Sequence, residues 1–107
     1  MNKIIANGKE HLGLLIKQEI EKNGPNCNLN HIVVSNITDM SWMFFDTDFD
    51  GDISKWDVSN VTNMSCMFLD SQFNQDISSR DVSNVKNMNN LFRASMFNSM
   101  SYKKLGY

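Results

Sequence analysis

The run Asp46-Thr47-Asp48-Phe49-Asp50-Gly51-Asp52-Ile53-Ser54-Lys55-Trp56-Asp57 has carboxylates at its first, third and fifth positions, glycine at the sixth, isoleucine at the eighth and an acid at the twelfth. That is close to an EF-hand loop, where several oxygens surround a hard cation and a glycine lets the chain turn around it. Three features oppose the match. Asp57 is shorter than the bidentate glutamate of such loops, Phe49 falls where the internal register of the chain wants a core residue, and the aligned stretches 70–81 and 94–105 lose most of the ligands. The sequence therefore assigns no metal ligands, and a calcium-binding loop at Asp46–Asp57 stands as the alternative.

Catalytic chemistry has less to work with. His11 stands beside Leu12 in a helical stretch, and His31 shares a column with Lys55 and Ser79, whose residue type changes from copy to copy. Neither histidine has a Cys, Ser or carboxylate that the sequence places within hydrogen-bond reach, as acid–base catalysis requires. Cys27 and Cys66 have neither the density nor the spacing of a disulfide scaffold or zinc site, so they read as free thiols, with a bridge between them as the alternative. The expectation is no catalytic residue, no enzymatic activity and no cofactor.

An internal repeat sets the elements that carry these residues. Val34–Asp57 reads VSNITDMSWMFFDTDFDGDISKWD, Val58–Asp81 reads VSNVTNMSCMFLDSQFNQDISSRD, and Val82–Leu105 reads VSNVKNMNNLFRASMFNSMSYKKL, each 24 residues long and aligned without a gap. The constant columns are mostly apolar: Val34/Val58/Val82, Met40/Met64/Met88, Phe44/Phe68/Phe92 and Phe49/Phe73/Phe97 among them. Met64, Met67 and Phe68 share one face at helical spacing, which predicts a short helix in each copy. The β-formers of Ile53–Val58 predict a short strand ahead of it. One copy cannot bury its apolar face alone, so stacked copies form a solenoid.

Upstream, Leu12, Leu15, Ile16 and Ile20 make one apolar stripe, with Asn7 and Glu10 placed to cap and Gly24-Pro25 to stop a helix. The chain thus reads as one domain over 1–107. A capping helix lies within 7–24, a half repeat at 28–33, full repeats at 34–57 and 58–81, and a degenerate repeat at 82–105.

The recurring string Trp56-Asp57-Val58-Ser59-Asn60-Val61-Thr62-Asn63-Met64-Ser65-Cys66-Met67-Phe68, with Phe73-Asn74-Gln75-Asp76-Ile77-Ser78 after it, resembles the BspA-like leucine-rich-repeat surface proteins of bacteria. The resemblance runs from about Asn28 to Phe97. It implies an α/β fold, a short right-handed repeat solenoid like that of leucine-rich repeats, with one short strand and one short helix per repeat behind an N-terminal helical cap. It also implies a secreted or lipid-anchored setting and adhesion. The chain departs from the family by having few repeats, by Arg80 in place of Trp, and by Met100-Ser101 in place of the Asp-Ile pair.

Composition narrows the partners. Net charge is −2, and no Lys/Arg cluster appears beyond Lys103-Lys104, so nothing gathers phosphates through counterion release and nucleic acid is not expected. The longest apolar runs, Trp42–Phe45 and Cys66–Leu69, fall well short of the roughly 20 residues of a membrane span. Met1-Asn2-Lys3-Ile4-Ile5-Ala6-Asn7 lacks the hydrophobic stretch of an export signal. The expected location is the cytoplasm as written, or the cell surface if a presequence has been removed.

The leading expectation is a non-enzymatic protein-interaction module, with the calcium-binding module and a truncated fragment of a longer array as alternatives. Side chains alternate along a strand, which places His31, Lys55 and Ser79 in one outward column. Asp57 and Asp81 fall in the next, beside Ser35, Ser59 and Ser83. These are the expected partner contacts, although the two aspartates could equally accept backbone bonds in a turn. Phe92, Met96, Phe97 and Met100 would cover an uncapped last layer, which points to association there with a second copy or another protein.

Overall fold

The computed structural model describes residues 2–77 and 80–95. The apolar stripe near the N-terminus lies on a helix, α1 (Lys9–Asn23), which buries Leu12 and Ile16 and packs Leu15 and Ile20 against the same core. Its start differs from expectation, because Gly8 rather than Asn7 is the N-cap and no side chain caps the helix. The Asn7 N–H donates instead to His11 Nδ1 at 3.0 Å. Gly24 ends the helix in the left-handed region at φ 88°, where a residue without Cβ is favoured, and its N–H donates to the Ile20 carbonyl at 2.8 Å.

Strands β1 (Ile4–Ile5) and β2 (Ile32–Val33) pair in parallel, Ile4 beside Ile32 and Ile5 beside Val33. Parallel neighbours need a long crossover, and α1 lies on it.

After β2 the described chain forms neither of the elements expected in each copy. Met40–Asp46, Met64–Asp70 and Met88–Ala94 are runs of turns rather than helices, and Trp56–Val58 and Arg80–Val82 are not strands. The backbone donors explain the missing helices. The N–H groups of Met40, Trp42, Phe44 and Asp46 leave their own run and donate to the carbonyls of Asn63, Ser65, Met67 and Leu69 at 2.9–3.1 Å. Those of Met64, Cys66, Phe68 and Asp70 donate in the same way to Asn87, Asn89, Leu91 and Arg93 at 2.8–3.0 Å. The i→i−4 bonds of an α-helix have no donors left. Left-handed residues also interrupt each run: Trp42 and Asp46 at φ 64° and 51°, Cys66 and Asp70 at 57° and 54°, Asn90 and Ala94 at 57° and 54°.

The missing strands have a local cause. The Trp56 N–H closes a turn onto the Ile53 carbonyl at 3.1 Å, and the Asp57 carboxylate takes the Ser59 N–H at 3.0 Å, so the segment is folded on itself rather than extended. Parallel bridges do occur, but between single residues: Asn28 with Asp52, Asp39 with Asn63, and Asn63 with Asn87. Val34 and Val58 are buried and Val82 packs against the core, yet the strand beside Val34 pairs with β1 and not with the segment before Val58.

The α/β, leucine-rich-repeat-like right-handed solenoid with a strand and a helix per repeat is therefore corrected. The described chain is a compact body of 33 × 25 × 21 Å with one helix and one pair of short parallel strands, and neither "solenoid" nor "leucine-rich repeat" describes it.

Aromatic rings fill the middle of that body. Phe44 stacks on Phe49 at 5.0 Å and on Phe68 at 5.6 Å, Phe68 on Phe73 at 4.7 Å, and Phe68 on Phe92 at 5.7 Å. Phe44, Phe49, Phe68 and Phe73 are fully enclosed. Offset ring pairs of this kind add to what burial alone contributes.

Candidate interaction surface

His31 is fastened rather than displayed. Its Nε2 lies 3.1 Å from Glu19 Oε1 on α1, its carbonyl accepts the Ile4 N–H at 2.9 Å, and its side chain keeps only 12% of its exposure. Lys55 is exposed, and its N–H donates to Asn30 Oδ1 at 2.8 Å. The two side chains share an open groove with Lys3, Asn28 and Asn30. Ser79 lies outside the described residues, as do Met96, Phe97 and Met100 of the expected C-terminal contact.

Asp57 and Asp81 are exposed, and both close turns. Asp57 Oδ1 accepts the Ser59 N–H, and Asp81 Oδ1 accepts the Ser83 N–H at 3.0 Å and the Ser83 hydroxyl at 2.7 Å. These serine hydroxyl and amide bonds hold both carboxyls below the ordinary carboxylate range. The asparagines after them also bond to neighbouring backbone: Asn60 Nδ2 donates to the Ser35 carbonyl at 2.8 Å and Asn84 Nδ2 to the Ser59 carbonyl at 2.6 Å.

The EF-hand-like run does not wrap around a common centre. Asp46 and Asp48 line an open cleft with Asp70, whereas Asp50 Oδ1 accepts the Asn74 N–H at 2.8 Å and Gln75 Nε2 at 2.9 Å. Asp52 Oδ1 accepts the Ser54 N–H at 2.8 Å, and its pKa falls to about 2 through bonds from the Ser54 hydroxyl, the Ser54 N–H and Asn30. Phe49 is enclosed in the core. Gly51 is needed for packing, since a Cβ there would strike the Cys27 carbonyl and the Phe49 ring. Among the described residues no three of His, Cys, Asp or Glu gather into a group able to hold a metal ion. Both thiols are free and buried, and burial, then Glu19, pushes the Cys27 thiol up.

A feature absent from the sequence expectations is the exposed pair Trp42 and Phe45. Trp42 is 50% exposed and Phe45 43%, with ring centroids 5.0 Å apart and edge-on. Trp42 is left-handed at φ 64°, as Cys66 and Asn90 are at the equivalent places of the other two runs, so the turn run imposes this conformation whatever the side chain. Next to Trp42 in the chain, the buried Ser41 hydroxyl takes a bond from Lys9 Nζ at 2.7 Å, and Lys9 reaches Asp39 at 3.8 Å. The signal was in the alignment. Trp42 stands in a column with Cys66 and Asn90, and Phe45 with Leu69 and Arg93, so neither aromatic belongs to the constant core set.

The fold and surface define a small turn-rich domain with one helix among the described residues and an exposed aromatic pair. A family model described as "Mycoplasma protein of unknown function, DUF285" matches residues 16–104, and the chain belongs to that family. No curated protein and no solved structure matches it. Among the described residues no helix is long and apolar enough to cross a membrane.

Proposed function

We propose that this chain is a non-enzymatic protein-interaction module whose principal contact is the Trp42–Phe45 pair. The observation that carries the reading is a half-exposed tryptophan braced edge-on by a second exposed ring, at places whose residue type changes from copy to copy. Tryptophan is among the residues that dominate binding energy at protein interfaces. His11 and the thiols support the non-enzymatic part: His11 Nδ1 is taken up by a backbone N–H, and both cysteines are buried.

The resemblance of Trp56–Phe68 to the BspA-like proteins extends the proposal to a cell-surface setting and an adhesion-related role. The groove holding His31 and Lys55 is the second contact, and Lys55 is its exposed charge. Capture from an extract of the source cell, compared between the native chain and the Trp42→Ala/Phe45→Ala variant, tests the reading. The variant keeps the fold, because exposed substitutions usually move stability by about 0.5 kcal/mol or less, and loses the captured partner. Equal capture by both removes the aromatic pair from the interface.

A further inference from the structure

Three of the backbone donors that join the first two turn runs have counterparts in the third run that are unpaired among the described residues. In the first two runs every second N–H crosses to a neighbouring run, from Met40 to Asp46 and again from Met64 to Asp70. The equivalent donors of the third run include Met88, Asn90 and Ala94, and these three N–H groups have no acceptor among the described residues. Asn90 and Ala94 are exposed and Met88 is half-buried. Their geometry is already set, with φ of 57° and 54° at Asn90 and Ala94 against 57° and 54° at Cys66 and Asp70.

The carbonyls from Met88 to Arg93 are occupied. Those of Met88, Asn90 and Phe92 accept the N–H groups of Leu91, Arg93 and Ser95 at 3.1–3.3 Å. The run thus offers donors of one kind along one edge. Two copies related by a twofold axis would set donor against donor, which bars a symmetric pairing through it. A β-strand edge presents N–H and C=O together and would leave half of its own groups unmatched.

Two further unmatched groups say what fits. The Ser35 and Ser59 carbonyls each take an asparagine amide from the following copy, while the Ser83 carbonyl takes none among the described residues. The Thr38 and Thr62 carbonyls each take the N–H of the residue 24 positions on, while the Lys86 carbonyl takes none among the described residues. An occupant must therefore bring a row of carbonyls, an asparagine side chain and a backbone N–H in the spacing of Asn60, Thr62 and Asn63–Leu69.

We propose that Met88–Ala94, with the Ser83 and Lys86 carbonyls, is a docking edge. Its occupant is a polypeptide run supplied by another chain and carrying the pattern of Val58-Ser59-Asn60-Val61-Thr62-Asn63-Met64-Ser65-Cys66-Met67-Phe68. The same register is made twice within this molecule, and the edge does not involve the Trp42–Phe45 contact.

The test is amide hydrogen exchange on the full chain with a synthetic peptide of the sequence of residues 58–81. At millimolar peptide, exchange at Met88, Asn90 and Ala94 slows by about tenfold or more. A peptide with Asn60→Ala slows it less, and a scrambled peptide leaves it unchanged. No slowing, equal slowing by the scrambled peptide or by inorganic phosphate, or slowing that follows the concentration of the chain alone would each overturn the proposal.

Discussion

Arg80→Trp stabilises this protein. Trp56 and Arg80 hold equivalent places: Trp56 Nε1 donates to the Leu29 carbonyl at 3.0 Å, and Arg80 Nη2 donates to the Ile53 carbonyl at 2.6 Å, both reaching back 27 residues. The donor is retained while the bulk is not. Beside Arg80 a cavity of about 20 Å³ remains, lined by Ile53, Trp56, Val58, Met64 and Met67 among others. At ~24 cal/mol per Å³, filling it contributes about 0.5 kcal/mol. Burial pushes the Arg80 guanidinium pKa down despite the nearby carboxylates of Asp76 and Asp52, so the charge is held against desolvation. Exchanging it for an indole adds about 1 kcal/mol of apolar burial. Lost attraction to surface carboxylates takes back about 0.5 kcal/mol. The net gain of about 1 kcal/mol raises Tm by roughly 4–8 °C. Calorimetry measures the shift, and the new indole N–H resonance reports whether its bond to Ile53 forms. An unchanged or lower Tm, with that N–H exchanging at the solvent rate, would refute the equivalence of the two seats.

Gly51→Ala lowers Tm sharply, because the added methyl meets the Cys27 backbone carbonyl and displacing packed backbone costs about 1–3 kcal/mol. Ala94→Gly raises stability by up to about 1 kcal/mol in chemical denaturation, since Ala94 is exposed and left-handed at φ 54°. Acid weakens the fold in a defined window: Asp52 is held at about 2 against an ordinary 3.8, so its stabilising share is present above that ordinary value and lost as pH falls through about 2. Asp57 and Asp81 shift in the same direction. Tm should be flat near neutrality and fall as pH drops from about 4 to 2, and Asp52→Asn should flatten that slope.

The sequence disclosed what depends on side-chain spacing. Leu12, Ile16 and Gly24 marked α1 to within a residue or two, and the Phe44, Phe49, Phe68 and Phe73 columns marked the aromatic core. What it could not disclose depends on where backbone donors go. Met64, Met67 and Phe68 have helical spacing, yet a run whose alternate N–H groups bond to the next run gives the same apolar face without a helix. The left-handed conformations fall on Trp, Cys, Asp, Asn and Ala, none of which announces a positive φ as glycine would. Asp57 and Asp81 each accept the N–H of the serine two residues on, the local bond that their spacing from that serine allows. Lys55 and His31 do share a groove, but the Glu19 contact that ties down His31 joins residues 12 apart through the turn between α1 and β2. Arg80 reads as a lost tryptophan, although as a donor to a carbonyl it repeats Trp56.

The role of the Trp42–Phe45 pair is tested most directly by placing a photo-crosslinking phenylalanine analogue at position 45 and, in a matched sample, at the exposed Lys17 on α1. Irradiation in an extract of the source cell should join a discrete protein to the position-45 sample, with loss of that product when Trp42→Ala is added and none from position 17. Equal products from both positions, or a position-45 product that persists without Trp42, would contradict the claim that this aromatic pair is the contact surface.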